Sequence, residues 1–194
     1  LNELPLSHLW RGIRGEQALE PLQPFDWDHE AKIDEDLSFD QSEGKGEVLL
    51  TGCTGHVGAA VLEALLRPGS KMRPVCCLVR AADDEDASRR VAKTLRSRGY
   101  EDGAKRVESN DGVRCIVGDL SLPLLGIYPE KFDQLAGEID VIYHNGAWVN
   151  SACPYSTLEA TNVLGTQEVL RMASLFKLKA VHYISSVAVF ESSA

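Results

Sequence analysis

The chain has 194 residues, of which 44% are hydrophobic and 25% charged, and its formal net charge is −9. These proportions are typical of one folded domain with an additional segment, and the negative charge argues against sequence-independent binding to nucleic acid, which needs a basic surface. No apolar run approaches the roughly 20 residues that span a bilayer, and the first residues lack the features of a signal peptide, so no membrane partner is expected.

Residues 1–46 are predicted to form a linker with a short helix that docks on the main domain. Apolar side chains between positions 6 and 13 are spaced like one helix face, whereas prolines at positions 5, 21 and 24 interrupt the segment. Aromatic and leucine residues are rare in fully disordered linkers, which favours docking. The sequence begins with Leu1 and not with Met, which suggests a piece of a longer protein.

From residue 47 to residue 194, short apolar segments alternate with helical patterns. Strands are predicted at 47–51, 75–79, 113–117, 141–144 and 180–185, and helices at 84–98 and 156–176. A further helix ends before Arg67, and its inner face is predicted to carry Val57, Val61, Leu62, Leu65 and Leu66. Strands joined by helix-length connections form right-handed βαβ units, which predicts an α/β fold. We expect a Rossmann-type, doubly wound parallel sheet with helices on both faces.

The five cysteines are predicted to be free thiols of a cytoplasmic protein. Four of them lie within or beside predicted strands, where cysteine behaves as a small buried hydrophobic residue. Their spacing matches no zinc pattern, and their odd number suits a reducing compartment better than a disulfide framework, so no metal site is expected. The cysteines are Cys53, Cys76, Cys77, Cys115 and Cys153.

A glycine-rich turn joins the first strand to the first helix. The segment reads TGCTGHVG over residues 51–58, with three glycines spaced three apart. Gly52 permits a tight turn, Gly55 lets the backbone approach a pyrophosphate, and Gly58 lets the helix pack closely on the strand. The N-terminus of the helix offers unpaired N–H groups to phosphates. The pattern predicts a dinucleotide site, and an ordinary strand-to-helix turn is the alternative.

Arg80 follows the second strand, where NAD-selective folds usually place an acidic residue against the ribose 2′-hydroxyl. A guanidinium is suited to bidentate contact with phosphate, so Arg80 favours NADPH. Arg90, on the following helix, is a second candidate for the 2′-phosphate. Two alternatives stay open, because Arg80 could be a solvated charge and Asp83 or Asp84 could still serve NAD.

Two more loops follow strand ends and carry candidate contacts. The Asp119 carboxylate could accept a hydrogen bond from an adenine amino group, or it could be an ordinary exposed loop residue. The loop 145–147, after the fourth strand, would bring backbone close to the ribose and the nicotinamide. His144 at the end of that strand is expected to be a packed histidine and not a base.

Together these motifs resemble the extended short-chain dehydrogenase/reductases, and most closely the thioester reductase domains that terminate nonribosomal peptide and polyketide synthetases. Aminoadipate, carboxylic acid and fatty acyl reductases are similar in the same motifs. The match covers residues 47–194, and the segment 27–33 also resembles the linker that precedes such domains. The motifs are TGxTGxxG at 51–58, LVR at 78–80, GDL at 118–120, HNGAxVN at 144–150 and NVxGT at 162–166.

The resemblance implies NADPH-dependent release of an acyl or peptidyl group from the phosphopantetheine arm of a carrier protein, as an aldehyde or alcohol. Ser186 corresponds to the catalytic Ser/Thr, whose hydroxyl would bind the thioester carbonyl oxygen. The alternatives are that Ser185 has this role, or that neither serine does and the Ser186 hydroxyl only ends a strand. A Tyr would donate the proton and a Lys would lower its pKa. That Tyr-x-x-x-Lys motif and the substrate subdomain are expected after Ala194, so the chain alone is expected to be inactive.

The cofactor contacts expected from the motifs and the resemblance form one set. They are Gly52, Thr54, Gly55, His56, Val57, Gly58, Arg80, Arg90, Asp119, Leu120, Asn145, Gly146, Ala147, Asn162 and Ser185. His56 departs from the family pattern, which has a bulky apolar residue at that position.

Two other functions are compatible with these motifs. A redox-silent relative would release its product by Dieckmann cyclisation without a cofactor, and a nucleotide-binding sensor or scaffold would have lost the chemistry. For the reductase, the expected partners are a carrier protein and the other domains of a multidomain synthetase. Retention of Tyr-x-x-x-Lys favours reduction, and its loss favours the other two functions.

Overall fold

A computed structural model of the protein describes residues 46–67, 73–150 and 152–186. The linker predicted over residues 1–46 lies outside this range, apart from Gly46 at its end. The strands are β1 (Glu47–Thr51), β2 (Val75–Val79), β3 (Val113–Val117), β4 (Ile139–His144) and β5 (Ala180–Tyr183). The helices are α1 (His56–Leu66), α2 (Asp84–Ser97), α3 (Glu101–Glu108), α4 (Pro129–Glu138), α5 (Tyr155–Glu159) and α6 (Gly165–Ser174).

The five strands form one parallel sheet in the order β3-β2-β1-β4-β5. From β1 the chain winds outward to β3, crosses back to β4 on the other side of β1, and continues outward to β5. The strand order therefore reverses between β1 and β4, which is where open α/β sheets form a crevice for ligands. The predicted doubly wound parallel sheet is confirmed.

Helices cover both faces of the sheet, because successive residues of each strand point to opposite sides. Leu50 packs in a core with α1, α2 and α3, and Leu49 packs in a second core with α4 and α6. All five residues of β2 are buried, as its uninterrupted apolar sequence predicts. Each large apolar side chain that is fully buried stabilises the fold by about 1.5–3 kcal/mol.

Four of the five cysteines are buried free thiols, as their positions within or beside strands predict. Burial raises the pKa of the Cys76 thiol to about 12, so this group stays a neutral hydrophobic residue. None of the helices in the described part of the chain is long and apolar enough to cross a membrane.

The inner face predicted for α1 is wrong at its first position. Val57 is 48% exposed, whereas Gly58, Ala59, Leu62 and Leu66 are buried. Small residues occupy the first buried turn because α1 starts in close contact with the turn that follows β1. A pattern based on large apolar residues alone therefore selected the wrong starting point.

Several predicted boundaries also differ from the structure. Helices α3 and α4 were not predicted, and β5 ends at Tyr183 rather than at 185. Strand β4 begins at Ile139 rather than at 141. The long helix predicted over 156–176 is interrupted by a π-helical turn at Ala160–Leu164, so that α5 and α6 are separate segments.

Candidate functional site

The candidate residues meet at one edge of the sheet. Since all strands are parallel, the loops that follow their carboxyl ends lie side by side, and the loops after β1 and β4 flank the point where the strand order reverses. The topology thereby brings together three of the predicted segments. These are the glycine turn at 52–58, the loop at 145–150 and the serines that follow β5.

The glycine turn touches the β4 loop backbone to backbone. Gly52 has a φ of +71°, a left-handed conformation that favours glycine. A Cβ atom on Gly52 would lie 2.7 Å from the Cα of Gly146, so neither loop has room for a side chain there. The N–H of Gly55 donates to the carbonyl oxygen of Gly52 at 2.9 Å, which closes the turn.

Gly55 and Gly58 have different structural environments. A Cβ atom on Gly58 would overlap the carbonyl oxygen of Gly52 and lie 2.6 Å from Nδ2 of Asn145. At Gly55, which is exposed, such an atom would have one close neighbour among the described residues, the same carbonyl oxygen, at 3.2 Å. Gly58 is therefore required for packing, whereas Gly55 leaves the start of α1 open to a ligand.

The first turn of α1 is suited to an anion. Gly55, its N-cap residue, has no side chain to occupy the first N–H groups, and the turn contains no acidic residue. These N–H groups carry the positive end of the helix dipole. Of the predicted phosphate contacts, His56 and Val57 are exposed on this turn, and Thr54 is exposed just before its N-cap.

His144 is buried between two threonine hydroxyls at the end of β4. Its Nδ1 lies 2.8 Å from Oγ1 of Thr51, and its Nε2 lies 3.0 Å from Oγ1 of Thr166. The Thr51 oxygen already accepts hydrogen bonds from the N–H groups of Asn145, at 3.2 Å, and Gly146, at 2.9 Å. Thr51 therefore donates its single proton to Nδ1, and His144 carries its own proton on Nε2.

The hydroxyl of Thr166 supports the same assignment, because it donates to the carbonyl oxygen of Asn162 at 2.7 Å and accepts from Nε2 of His144. Burial lowers the pKa of His144 to about 4, so the ring is neutral near pH 7. The prediction of a packed strand-end histidine is confirmed. The two threonines were not predicted as site residues, although both stand in the quoted motifs.

Asn162 lies in the π-helical turn and holds the β4 loop. Its Oδ1 accepts from the N–H of Trp148 at 2.7 Å, and its Nδ2 donates to the carbonyl oxygen of Trp148 at 3.0 Å. Both groups of the amide therefore bind backbone, and direct contact between Asn162 and a cofactor stays a prediction. Trp148 is 46% exposed beside Ala147 in this loop.

Arg80 is exposed at the end of β2, and the guanidinium of Arg90 donates to its carbonyl oxygen. The two arginines predicted to bind a 2′-phosphate are therefore neighbours. The acidic alternatives have structural partners: Asp83 caps α2 through the N–H of Asp86 at 2.7 Å, and Asp84 accepts from the N–H of Val117 at 2.7 Å. These bonds orient the Asp83 carboxylate toward α2 and the Asp84 carboxylate toward β3.

Asp119 shapes the loop after β3. Its Oδ1 accepts from the N–H of Ser121 at 2.9 Å and from the Ser121 hydroxyl at 2.7 Å. The next residue, Leu120, leaves no room for side chains at Gly146 or Gly165. This loop therefore packs against the β4 loop and the start of α6, whereas an adenine contact at Asp119 stays a prediction.

The predicted serines lie at the same edge of the sheet. The N–H of Ile184 donates to the carbonyl oxygen of His144 at 2.9 Å, which extends the pairing of β5 with β4 to the edge that carries the site. Ser185 and Ser186 follow directly and are exposed. The structure thus places both alternatives beside the β4 loop.

A protein-family model of NAD-binding domains, described as "Male sterility protein", matches residues 50–194. A linear gramicidin synthase polypeptide of Brevibacillus parabrevis is 37% identical over 186 residues, which are 94% of this chain and 3% of that protein. The chain therefore spans a small part of this curated relative.

Two solved structures are similar in fold and sequence. The terminal R domain from the myxalamid PKS-NRPS biosynthetic pathway is 37% identical with a TM-score of 0.74, over 84% of this chain and 41% of that one. The reductase (R) domain of a non-ribosomal peptide synthetase from Mycobacterium tuberculosis is 36% identical with a TM-score of 0.67, over 85% of this chain and 38% of that one.

Proposed function

Because the chain belongs to the NAD-binding family described as "Male sterility protein", we propose that it is the dinucleotide-binding part of an NADPH-dependent thioester reductase. The observation that carries this proposal is the open N-terminus of α1, which lies where the strand order reverses and touches the β4 loop. The similarity to reductase (R) domains supports the reaction class.

The residues at this edge fit NADPH. The exposed turn from Thr54 to Val57 would hold the diphosphate on helix N–H groups, and Arg80 with Arg90 would hold the 2′-phosphate. The loop at 145–147, fixed by the hydroxyl of Thr51, would position the ribose and the nicotinamide. When bound, NADPH would supply the hydride that reduces the acyl carbonyl carbon.

Ser186 is proposed to bind the substrate carbonyl. Its hydroxyl would donate a hydrogen bond to the thioester oxygen, on which negative charge grows as the carbon is reduced. Its exposed position after β5, beside the β4 loop, supports this role. Collapse of the reduced thioester would expel the thiol of the carrier arm and give an aldehyde, which a second reduction would convert to an alcohol.

The substrate class follows from the same similarity. We propose an acyl or peptidyl thioester on the phosphopantetheine arm of a carrier protein, within a multidomain synthetase of the cytoplasm. The peptide synthase and synthetase names of the similar proteins support the carrier as partner, and the buried free thiols are compatible with a reducing compartment.

Hydride transfer is the test of this reaction. In the full-length gene product, Ser186→Ala is expected to bind NADPH like the wild type and to lose most reduction of an acyl-carrier thioester. The assay follows NADPH absorbance and traps the aldehyde, with Ser109→Ala, at the exposed end of α3, as the matched control and Ser185→Ala as the test of the alternative serine. Product release without NADPH consumption would support Dieckmann cyclisation, and NADPH binding without any product would support a sensor.

Arg80→Ala is expected to weaken NADPH binding about tenfold to a hundredfold and to leave NADH binding unchanged. A charge-assisted hydrogen bond of this kind contributes about 1.5–3 kcal/mol, and only NADPH has the 2′-phosphate. Fluorescence titration measures the ratio of the NADPH and NADH dissociation constants, with Lys93→Ala on α2 as a control for lost charge. An unchanged ratio would show that Arg80 does not bind the 2′-phosphate.

A further inference from the structure

A cavity of about 460 Å³ lies beside the start of α1. Three of its lining residues belong to α1, one is the last residue of α2, and two lie between α2 and α3. The lining residues are His56, Val57, Ala60, Ser97, Arg98 and Tyr100. The cavity therefore adjoins the helix terminus that is proposed to hold the diphosphate, although sequence patterns indicated no role for Arg98.

Arg98 is the charged group of this cavity. Its Nη1 donates to Nδ1 of His56, which is the first residue of α1. Its Nε is buried and has no hydrogen-bond partner among the described residues. Among the described residues no carboxylate lies within ion-pair distance of Arg98, so an anion that binds its guanidinium from the cavity would supply the missing countercharge.

The surroundings of Arg98 favour an anion. The six lining residues include two hydroxyl groups and no carboxylate. On α1, the nearest acidic residue after the lining residues is Glu63, about one turn beyond Ala60, and its carboxylate lies against Gly103 of α3. On α3, Glu101 is paired with Arg96 at 3.5 Å. The charge that faces the cavity is therefore positive.

We propose that Arg98, oriented by His56, binds the diphosphate of the dinucleotide from the side of α2. The inference rests on the proposed function and adds a charged side chain to a phosphate site otherwise made of helix N–H groups. His56 stands where the resembling family has a bulky apolar residue, which could not accept the hydrogen bond from Arg98.

The test compares two ligands that share the 2′-phosphate and differ in the diphosphate. Arg98→Met, which keeps an apolar chain and removes the charge, is expected to weaken NADPH binding about tenfold to a hundredfold. Binding of adenosine 2′-monophosphate, which lacks the diphosphate, is expected to stay within twofold. Lys93→Met removes an exposed charge from α2, the helix that ends just before Arg98, and should change neither affinity. Titration calorimetry measures both ligands.

The other outcomes separate this inference from the proposed function. If Arg98→Met binds NADPH like the wild type, or weakens both ligands equally, Arg98 does not bind the diphosphate. If the wild type binds no NADPH, the proposed function fails with the inference. Should Arg98→Met not fold, His56→Phe replaces it. That variant removes the acceptor that orients Arg98, and it must also lose NADPH affinity selectively.

Discussion

Gly55→Val is expected to abolish NADPH binding while the domain stays folded. The φ of Gly55 is −83°, which valine also adopts, and among the described residues a Cβ atom would approach only the carbonyl oxygen of Gly52, at 3.2 Å. A shift of a few tenths of an ångström relieves that contact. The branched side chain would then occupy the space through which phosphate oxygens reach the N–H groups of α1.

Gly58→Ala is the contrasting variant, because its added methyl group would meet the Gly52 carbonyl group and the Asn145 side chain. The overlap with the carbonyl oxygen of Gly52 is expected to destabilise the fold by about 1–3 kcal/mol or more. Urea unfolding and NADPH fluorescence measure both variants. A folded Gly55→Val protein with undiminished affinity would exclude this turn as the phosphate site.

Acidification is expected to destabilise the protein through His144. Its pKa is about 4 in the folded state, below the ordinary value of 6.5, so the unfolded chain takes up the proton first as the pH falls. The contribution of neutral His144 to the free energy of unfolding is complete above pH 6.5. It decreases down to about pH 4, where the imidazole is protonated in both the folded and the unfolded state. The full loss is about 3 kcal/mol, a large share of a typical folding free energy.

Comparing the wild type with a variant at position 144 separates the acid destabilisation that comes from His144 from that of the carboxylates. Urea unfolding at pH 7 and at pH 4.5 is measured for the wild type and for His144→Gln, which cannot take up a proton. The variant is expected to be less stable at pH 7 but to lose less stability on acidification. Equal losses in the wild type and in the variant would contradict the assignment.

Strands β1, β2 and β3 match the predicted residues because each is a short apolar run between turn signals. Helix α3 gives a much weaker pattern, since its buried positions are Gly103, Ala104 and Val107 and only valine stands out as apolar. The start of α1 was misjudged for the same physical reason. Closely packed positions hold small residues, and sequence periodicity detects mainly large ones.

The place of the site could be predicted from the sequence, because parallel strands bring their following loops to one edge. The hydrogen bonds that shape it could not. Thr51 and His144 are 93 positions apart, and Asn162 reaches Trp148 through a π-helical turn that no sequence pattern indicated. The pairing of His56 with Arg98 likewise depends on how α1 packs beside the end of α2.

The central position of β1 has a consequence for folding kinetics. Strands β1 to β3 are close in sequence and can assemble early, whereas β4 pairs with β1 across 93 positions, as Thr51 and His144 show. Closing a loop of that length costs about 4 kcal/mol of chain entropy. Docking of β4 is therefore expected to be slow, and it also brings the phosphate turn to its partner loop. Nucleotide affinity should consequently appear only in the last phase of refolding.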